Sequence, residues 1–103
     1  MKNDQIRLIP VVEGVERGNI TRDKQEDEAR TVFGRAFSVG EREFYDSVQA
    51  GYDLALKVEV WAAEYQGERA LEYNGEEYRV VRTYENRKHR TVELTCEKVK
   101  GRR

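Results

Sequence analysis

The sequence predicts a mainly β protein: a small closed β-barrel of about six strands, with one short α-helix inserted between strands two and three. Three observations carry that expectation. Residues 71–86, LEYNGEEYRVVRTYEN, set two runs of β-formers around Asn74-Gly75, the dipeptide best suited to a two-residue hairpin turn. Residues 54–61, LALKVEVW, alternate apolar and polar, and so does RTVELTCEKV near the end. Several short amphipathic strands within 103 residues favour closure, because closure removes edges that would otherwise pair with other chains.

Taken in order, residues 5–12, QIRLIPVV, read as the first strand, with Ile6 and Leu8 alternating with Gln5 and Arg7. Pro10 has no N–H to give a ladder, so this strand is a sheet edge or ends there. Residues 13–30 break the pattern, since ten charged residues and two glycines surround only two large apolar ones, Val15 and Ile20. So polar a stretch is expected outside the core, as an exposed arm or long loop. It should be the most mobile part of the chain apart from a flexible tail at residues 101–103. The second strand is TVFGRAFSV, 31–39, with Phe33, Phe37 and Val39 on one side. Ser38 and Glu41 stand at capping-box spacing, Phe44 and Val48 lie four apart, and Gly51 suits a C-terminal stop. These predict a short helix near 41–49 that buries Phe44 and Val48 on the barrel.

The third strand, 54–61, puts Leu54, Leu56, Val58 and Val60 on one face and closes at Trp61, expected in core or interface packing. In the hairpin, a two-residue loop pairs Tyr73 with Glu76 and Leu71 with Tyr78. Leu71, Tyr78 and Val80 then share one face, and Glu72, Glu77 and Arg79 the other. The last strand turns Val92, Leu94 and Cys96 inward. The whole of 1–103 reads as one domain.

Charge narrows the function. With 20 acidic and 19 basic residues the net charge is -1, unlike the strongly basic footprint of an autonomous nucleic-acid binder. No apolar run approaches the ~18 residues of a membrane span, and MKNDQIRLIP has no signal-peptide core. The expectation is an unexported, cytoplasmic protein with no membrane partner. Cys96 is the single cysteine, so no intrachain disulfide or thiolate metal site can form, and its alternation with Val92 and Leu94 reads as a core thiol. His89, inside ENRKHR, reads as a solvated turn residue rather than a general base. No phosphate-binding glycine motif, HExxH or nucleophile elbow occurs. No catalytic residue, metal or cofactor is therefore expected. Most carboxylates read as solvated faces.

Two basic clusters stand out: Arg87, Lys88, His89 and Arg90 in the last turn, and Lys98, Lys100, Arg102 and Arg103 at the C-terminus. They suit phosphate backbone or an acidic partner, or are ordinary surface charge. Tyrosines can stack bases, but Tyr45, Tyr73 and Tyr78 are equally explained as half-buried barrel residues.

The order of these elements resembles the head-closure, or head-tail joining, proteins of long-tailed bacteriophages and their prophage remnants. Over roughly residues 4–99 the resemblance is carried by Glu43-Phe44-Tyr45 in the helical insert, Tyr73-Asn74-Gly75 followed by Tyr78, and Glu93-Leu94 with Cys96. None of these carries chemistry, so the likeness lies in order and spacing. The arm at 13–30 has no counterpart. What the resemblance implies is a non-enzymatic β-barrel that assembles as a ring beneath the portal and its adaptor, seals the DNA channel and offers a docking surface to the tail. In some members the segment after strand two points into the channel as a plug. The matching positions run from Ser38 to Gly51, which makes Ser38, Glu41, Arg42, Glu43, Phe44, Tyr45 and Asp46 candidates for gating or subunit contact. Arg87, Lys88 and Arg90 are candidates for DNA or partner contact, with Asn74 and Gly75 the turn that fixes register. The implied partners are other copies of the chain, the portal–adaptor complex, tail proteins and the packaged double-stranded DNA. The implied place is the virion's head–tail interface, reached from the host cytoplasm.

Three classes of rival stand beside this reading, the first being another joining protein. A tail terminator is also a small ring-former, whereas an adaptor would be mostly helical. A nucleic-acid-binding barrel of OB or SH3-like type would show single-strand binding with steep salt dependence, and the near-neutral charge counts against it. An enzyme would need a site that the sequence does not supply.

Overall fold

The computed structural model describes residues 3–99. The strands are β1 (Asp4–Ile9), β2 (Val11–Glu16), β3 (Asn19–Lys24), β4 (Arg30–Phe37), β5 (Leu54–Trp61), β6 (Ala70–Tyr73), β7 (Glu76–Asn86) and β8 (Thr91–Lys98). One α-helix, α1 (Glu41–Gln49), joins β4 to β5. Six strands close into an antiparallel barrel in the order β1-β4-β5-β8-β7-β6, and β2 and β3 form a separate two-stranded sheet. The mainly β class and the six-stranded closed barrel are as the sequence predicts. The expected tail at 101–103 lies outside the described residues.

Alternation builds the barrel's interior. Ile6, Leu8, Val58, Val60, Leu71, Val80, Leu94 and Cys96 are each 0% exposed, and most of their sequence neighbours are more exposed, though Ile9, Ala70 and Thr95 are buried too. Each large aliphatic buried this way stabilises by ~1.5–3 kcal/mol. The hairpin forms in the predicted register, Leu71 opposite Tyr78 and Tyr73 opposite Glu76. Asn74 and Gly75 adopt φ of 55° and 78°, the positive pair that a primed turn demands and that matches the twist of the flanking strands. Leu71 and Val80 are fully buried, and Tyr73 and Tyr78 pack against the core while half-buried.

Four expectations are corrected. The helix lies between the fourth and fifth strands of the chain, not the second and third. The reason is that the stretch 13–30 is no loop: most of it belongs to a β-hairpin, which adds two strands ahead of the helix. Its register pairs Val11 with Lys24, Glu13 with Arg22 and Val15 with Ile20. Arg17 and Gly18, at φ of 54° and 80°, make the turn. Charges here pair across strands, as Glu13 does with Arg22 at 3.1 Å, so the ribbon forms without burial. The first strand ends before Pro10, where the chain leaves the barrel, and the Gln25 N–H donates to the Pro10 carbonyl at 2.8 Å to close the arm's root.

On the second strand, the barrel face is Val32, Gly34 and Ala36, not the side of Phe33, which is 52% exposed. Gly34 sits where β5 passes so close that a Cβ would meet the Glu59 carbonyl oxygen at 2.5 Å. The loop after β5 carries the last surprise. Glu68, expected like other carboxylates on a solvated face, is 3% exposed. Its two oxygens accept from Arg30 Nη2 at 2.6 Å and from the Gln66 N–H at 2.9 Å. The Tyr65 hydroxyl donates to its carbonyl at 2.6 Å, and burial pushes that phenol up to about 12. A buried carboxylate thus ties the 62–69 loop to the start of β4.

Candidate functional site

Helix α1 begins at Glu41 with Gly40 as its N-cap residue and no side-chain capping bond, so the expected Ser38–Glu41 box does not form; Ser38 is exposed ahead of the helix. Its C-terminus closes as a Schellman turn. The Tyr52 N–H donates to Ser47 O at 2.8 Å and the Gly51 N–H to Val48 O at 3.1 Å, with Gly51 at φ 92°.

The helix rests on the barrel by its polar side. The outer wall of β5 and β8 presents charge, because the apolar side chains of those strands already fill the interior. Glu43, half-buried, is paired with Lys57 Nζ at 2.6 Å and also with Arg82, while Lys57 lies 3.4 Å from Glu93. Burial pushes the Glu43 carboxyl up, but Lys57 and Arg82 outweigh it and hold it below its ordinary value. The hydrogen bond that Lys57 donates to Glu43 raises its ammonium against the opposing effect of burial. Ser47, one turn on, is the buried residue of the helix, and its hydroxyl donates to Phe44 O at 2.7 Å. Beside it runs an open groove of about 470 Å³ between Arg42 and Asp46 on the helix, Tyr52 and Leu54 at its exit, and Arg82 on β7.

The opposite face is the apolar one. Glu41, Phe44, Tyr45 and Val48 follow at i, i+3, i+4 and i+7, a single stripe. Phe44 is 37%, Tyr45 61% and Val48 51% exposed. The Phe44 and Tyr45 rings meet edge to face at 5.9 Å. The expectation that Phe44 and Val48 bury on the barrel, with Tyr45 as a half-buried barrel residue, is therefore reversed. The expected free charge survives in part: Glu41, Arg42 and Asp46 are exposed, but Glu43 is spent on the wall.

The arm is the second feature that projects. Every residue from Val12 to Ile20 is exposed, Val15 at 77% and Ile20 at 65%. Ion pairs fix its root to the outside of the barrel: Lys24 to Glu77 at 2.6 Å, and Glu26 to Arg7 at 2.9 Å. Sequence reasoning missed both the strands and this pairing. The only available signal was Arg17-Gly18 between two six-residue runs without clean alternation.

Arg87, Lys88 and Arg90 lie together on the exposed β7–β8 turn, with the Arg90 carbonyl accepting from the Ala62 N–H at 2.9 Å. Lys98 sits at the far end of β8, ion-paired to Glu76 at 3.3 Å, so the structure separates the two basic clusters; Lys100, Arg102 and Arg103 lie outside the described residues. His89 is exposed on the same turn, its N–H donating to Asn86 Oδ1 at 3.2 Å. Cys96 is buried in the core, and burial pushes its thiol up to about 12, which suppresses thiolate chemistry. Among the described residues, no cluster of three or more His, Cys, Asp or Glu side chains could hold a metal ion, and no helix is long and apolar enough to cross a membrane.

No family model and no curated protein matches the chain. Among solved structures the fold is similar to the solution structure of protein SF1141 from Shigella flexneri 2a. The TM-score is 0.57 and the identity 14%, over 94% of this chain and 92% of that one.

Proposed function

We propose that this protein is a structural head-closure protein of a long-tailed phage or prophage. It works as a ring under the portal–adaptor complex that seals the DNA channel and receives the tail. The observation that carries the reading is the inverted helix: α1 is pinned to a closed barrel by Glu43, Lys57 and Arg82, yet turns Phe44, Tyr45 and Val48 to solvent. A barrel whose strands are all paired is a rigid body with no free edge. Appended segments with exposed apolar side chains then serve contact between proteins rather than folding. The resemblance of the sequence's element order to joining proteins is what points the reading to this assembly. Glu41, Arg42 and Asp46 are the charges left for the channel or a neighbour, and Arg87, Lys88 and Arg90 are left for phosphate.

The test is electron microscopy of the purified protein mixed with portal–adaptor complexes, and separately with tail tubes, of the phage or prophage that encodes it. A ring added below the adaptor is the expected result. Binding only to tail tubes would make it a tail terminator, and salt-sensitive binding to single-stranded DNA without either would favour a nucleic-acid-binding barrel.

A further inference from the structure

The two projecting features sit at opposite ends of β4. The arm's root is held by Arg7 on β1, through Glu26, and by Glu77 on β7, through Lys24, while Glu43 of the helix is held by Lys57 on β5 and Arg82 on β7. β4 starts at Arg30, just past the arm, and ends at Phe37, just ahead of the helix, so its eight residues, roughly 26 Å at the usual rise, lie between the two. An arm and a helix so placed are kept apart within one chain by the barrel itself.

Each feature is incomplete alone. A two-stranded ribbon without a third strand or a covering layer is marginal in water, and this one exposes Val15 and Ile20 side by side at its tip. The helix exposes Phe44, Tyr45 and Val48 around one acid, Glu41. The arm's turn carries Arg17, exposed and two residues past Val15, with the Glu16–Asn19 pair between. An apolar pair next to a cation thus faces an apolar stripe next to an anion.

We propose that the β2–β3 arm of one copy docks on the outward face of α1 of a second copy. Val15 and Ile20 seat against Phe44, Tyr45 and Val48, and Arg17 meets Glu41, so that copies join head to tail. Contact between two different patches at opposite ends of one rigid body is heterologous and propagates around a closed ring or along a filament. The inference rests on the head-closure reading only in taking the product to be a ring. The arm's strands have six residues each, a reach of roughly 20 Å at the usual rise per residue. A hairpin tip on a nine-residue helix is a small interface of the weak, transient class. Dilute protein is therefore monomeric, and copies gathered on a template close cooperatively because each further contact forms at high effective concentration.

The test is disulfide trapping of the full chain, whose native Cys96 is buried and does not compete. Val15→Cys protein mixed with Val48→Cys protein under mild oxidation should give heterodimer enriched about tenfold or more over Val15→Cys mixed with Phe33→Cys, through docking-raised effective concentration. Phe33 is an equally exposed residue of the β4 wall. A single chain carrying V15C and V48C should give a ladder of multimers. In a concentration series of amide NMR spectra, α1 signals should shift in the natural chain and stand still in the V15D/I20D variant. Equal trapping at Phe33 and Val48, or α1 shifts that survive V15D/I20D, would overturn the proposal. Trapping without rings on portal–adaptor complexes would keep the arm–helix contact and sink head closure; rings formed undiminished by V15D/I20D would do the reverse.

Discussion

Glu43→Gln isolates what fixes the helix. The substitution keeps shape but removes the charge that Lys57 and Arg82 share. The Glu43 and Lys57 side chains are 24% and 18% exposed, and Arg82 is 53% exposed. A fully exposed pair contributes ~0–1 kcal/mol and breaking a buried one costs ~3–5 kcal/mol. This half-buried pair falls between, and Lys57 keeps Glu93 at 3.4 Å as an alternative partner. The expected cost is therefore about 1–2 kcal/mol, or a factor of about 5–30 in an equilibrium constant. Because α1 lies outside the barrel, that loss falls on undocking of the helix rather than on the core. Hydrogen exchange reads it directly: protection in the C-terminal half of α1 should fall by that factor, while β5 and β8 amides keep theirs. Acid should do the same to the natural chain. The Glu43 carboxyl is depressed below 4.5, so its contribution is present above that pH and disappears as pH falls through the depressed value. Lys57, raised above 10.5, contributes below that pH and loses its share as pH rises through the raised value. Helix protection that is unchanged in E43Q, or insensitive to acid, would refute the claim that this charge holds the helix.

Three further outcomes follow from burial and backbone conformation. Glu68→Ala should destabilise by about 2–4 kcal/mol in denaturant unfolding, less than the ~3–5 kcal/mol of a fully buried pair because Arg30 retains access to water; a loss under ~0.5 kcal/mol, typical of surface sites, would make Glu68 an ordinary surface residue. Gly75→Val forces a β-branched residue to φ 78° and should cost about 1–3 kcal/mol, so an unchanged melting temperature would contradict the primed turn. Phe44→Ala should cost under ~1 kcal/mol because its ring is already part-solvated, against ~2–5 kcal/mol for Leu94→Ala in the core; equal losses would mean that the helix turns its apolar face inward after all.

What could be read from sequence was whatever local chemistry decides. Asn74-Gly75 admits few turns other than the primed one, so the hairpin's register followed from two residues. Strict alternation in 54–61 and 91–98 left one way to sort Leu56, Val58 and Leu94 from Lys57 and Glu93, and Cys96 went inward with them. Closure was legible as well, because short amphipathic strands in so small a chain need their edges covered. The arm's exposure was legible in its polarity, but its strands were not, since they are stabilised by pairing Glu13 with Arg22 and by a turn at Arg17-Gly18, neither of which leaves an apolar pattern. The helix was found but placed with the wrong face inward. Its apolar stripe predicts burial only where an apolar surface is available, and the closed barrel had already turned its apolar side chains to its own interior. What it offered the helix was Lys57 and Arg82, and so Glu43 docked instead. The same holds for Glu68, whose burial depends on Arg30, thirty-eight residues away in sequence. Sequence alone determined which residues alternate and where the chain turns. Tertiary structure decided which surfaces remained to be covered, because that depends on what distant segments had already buried.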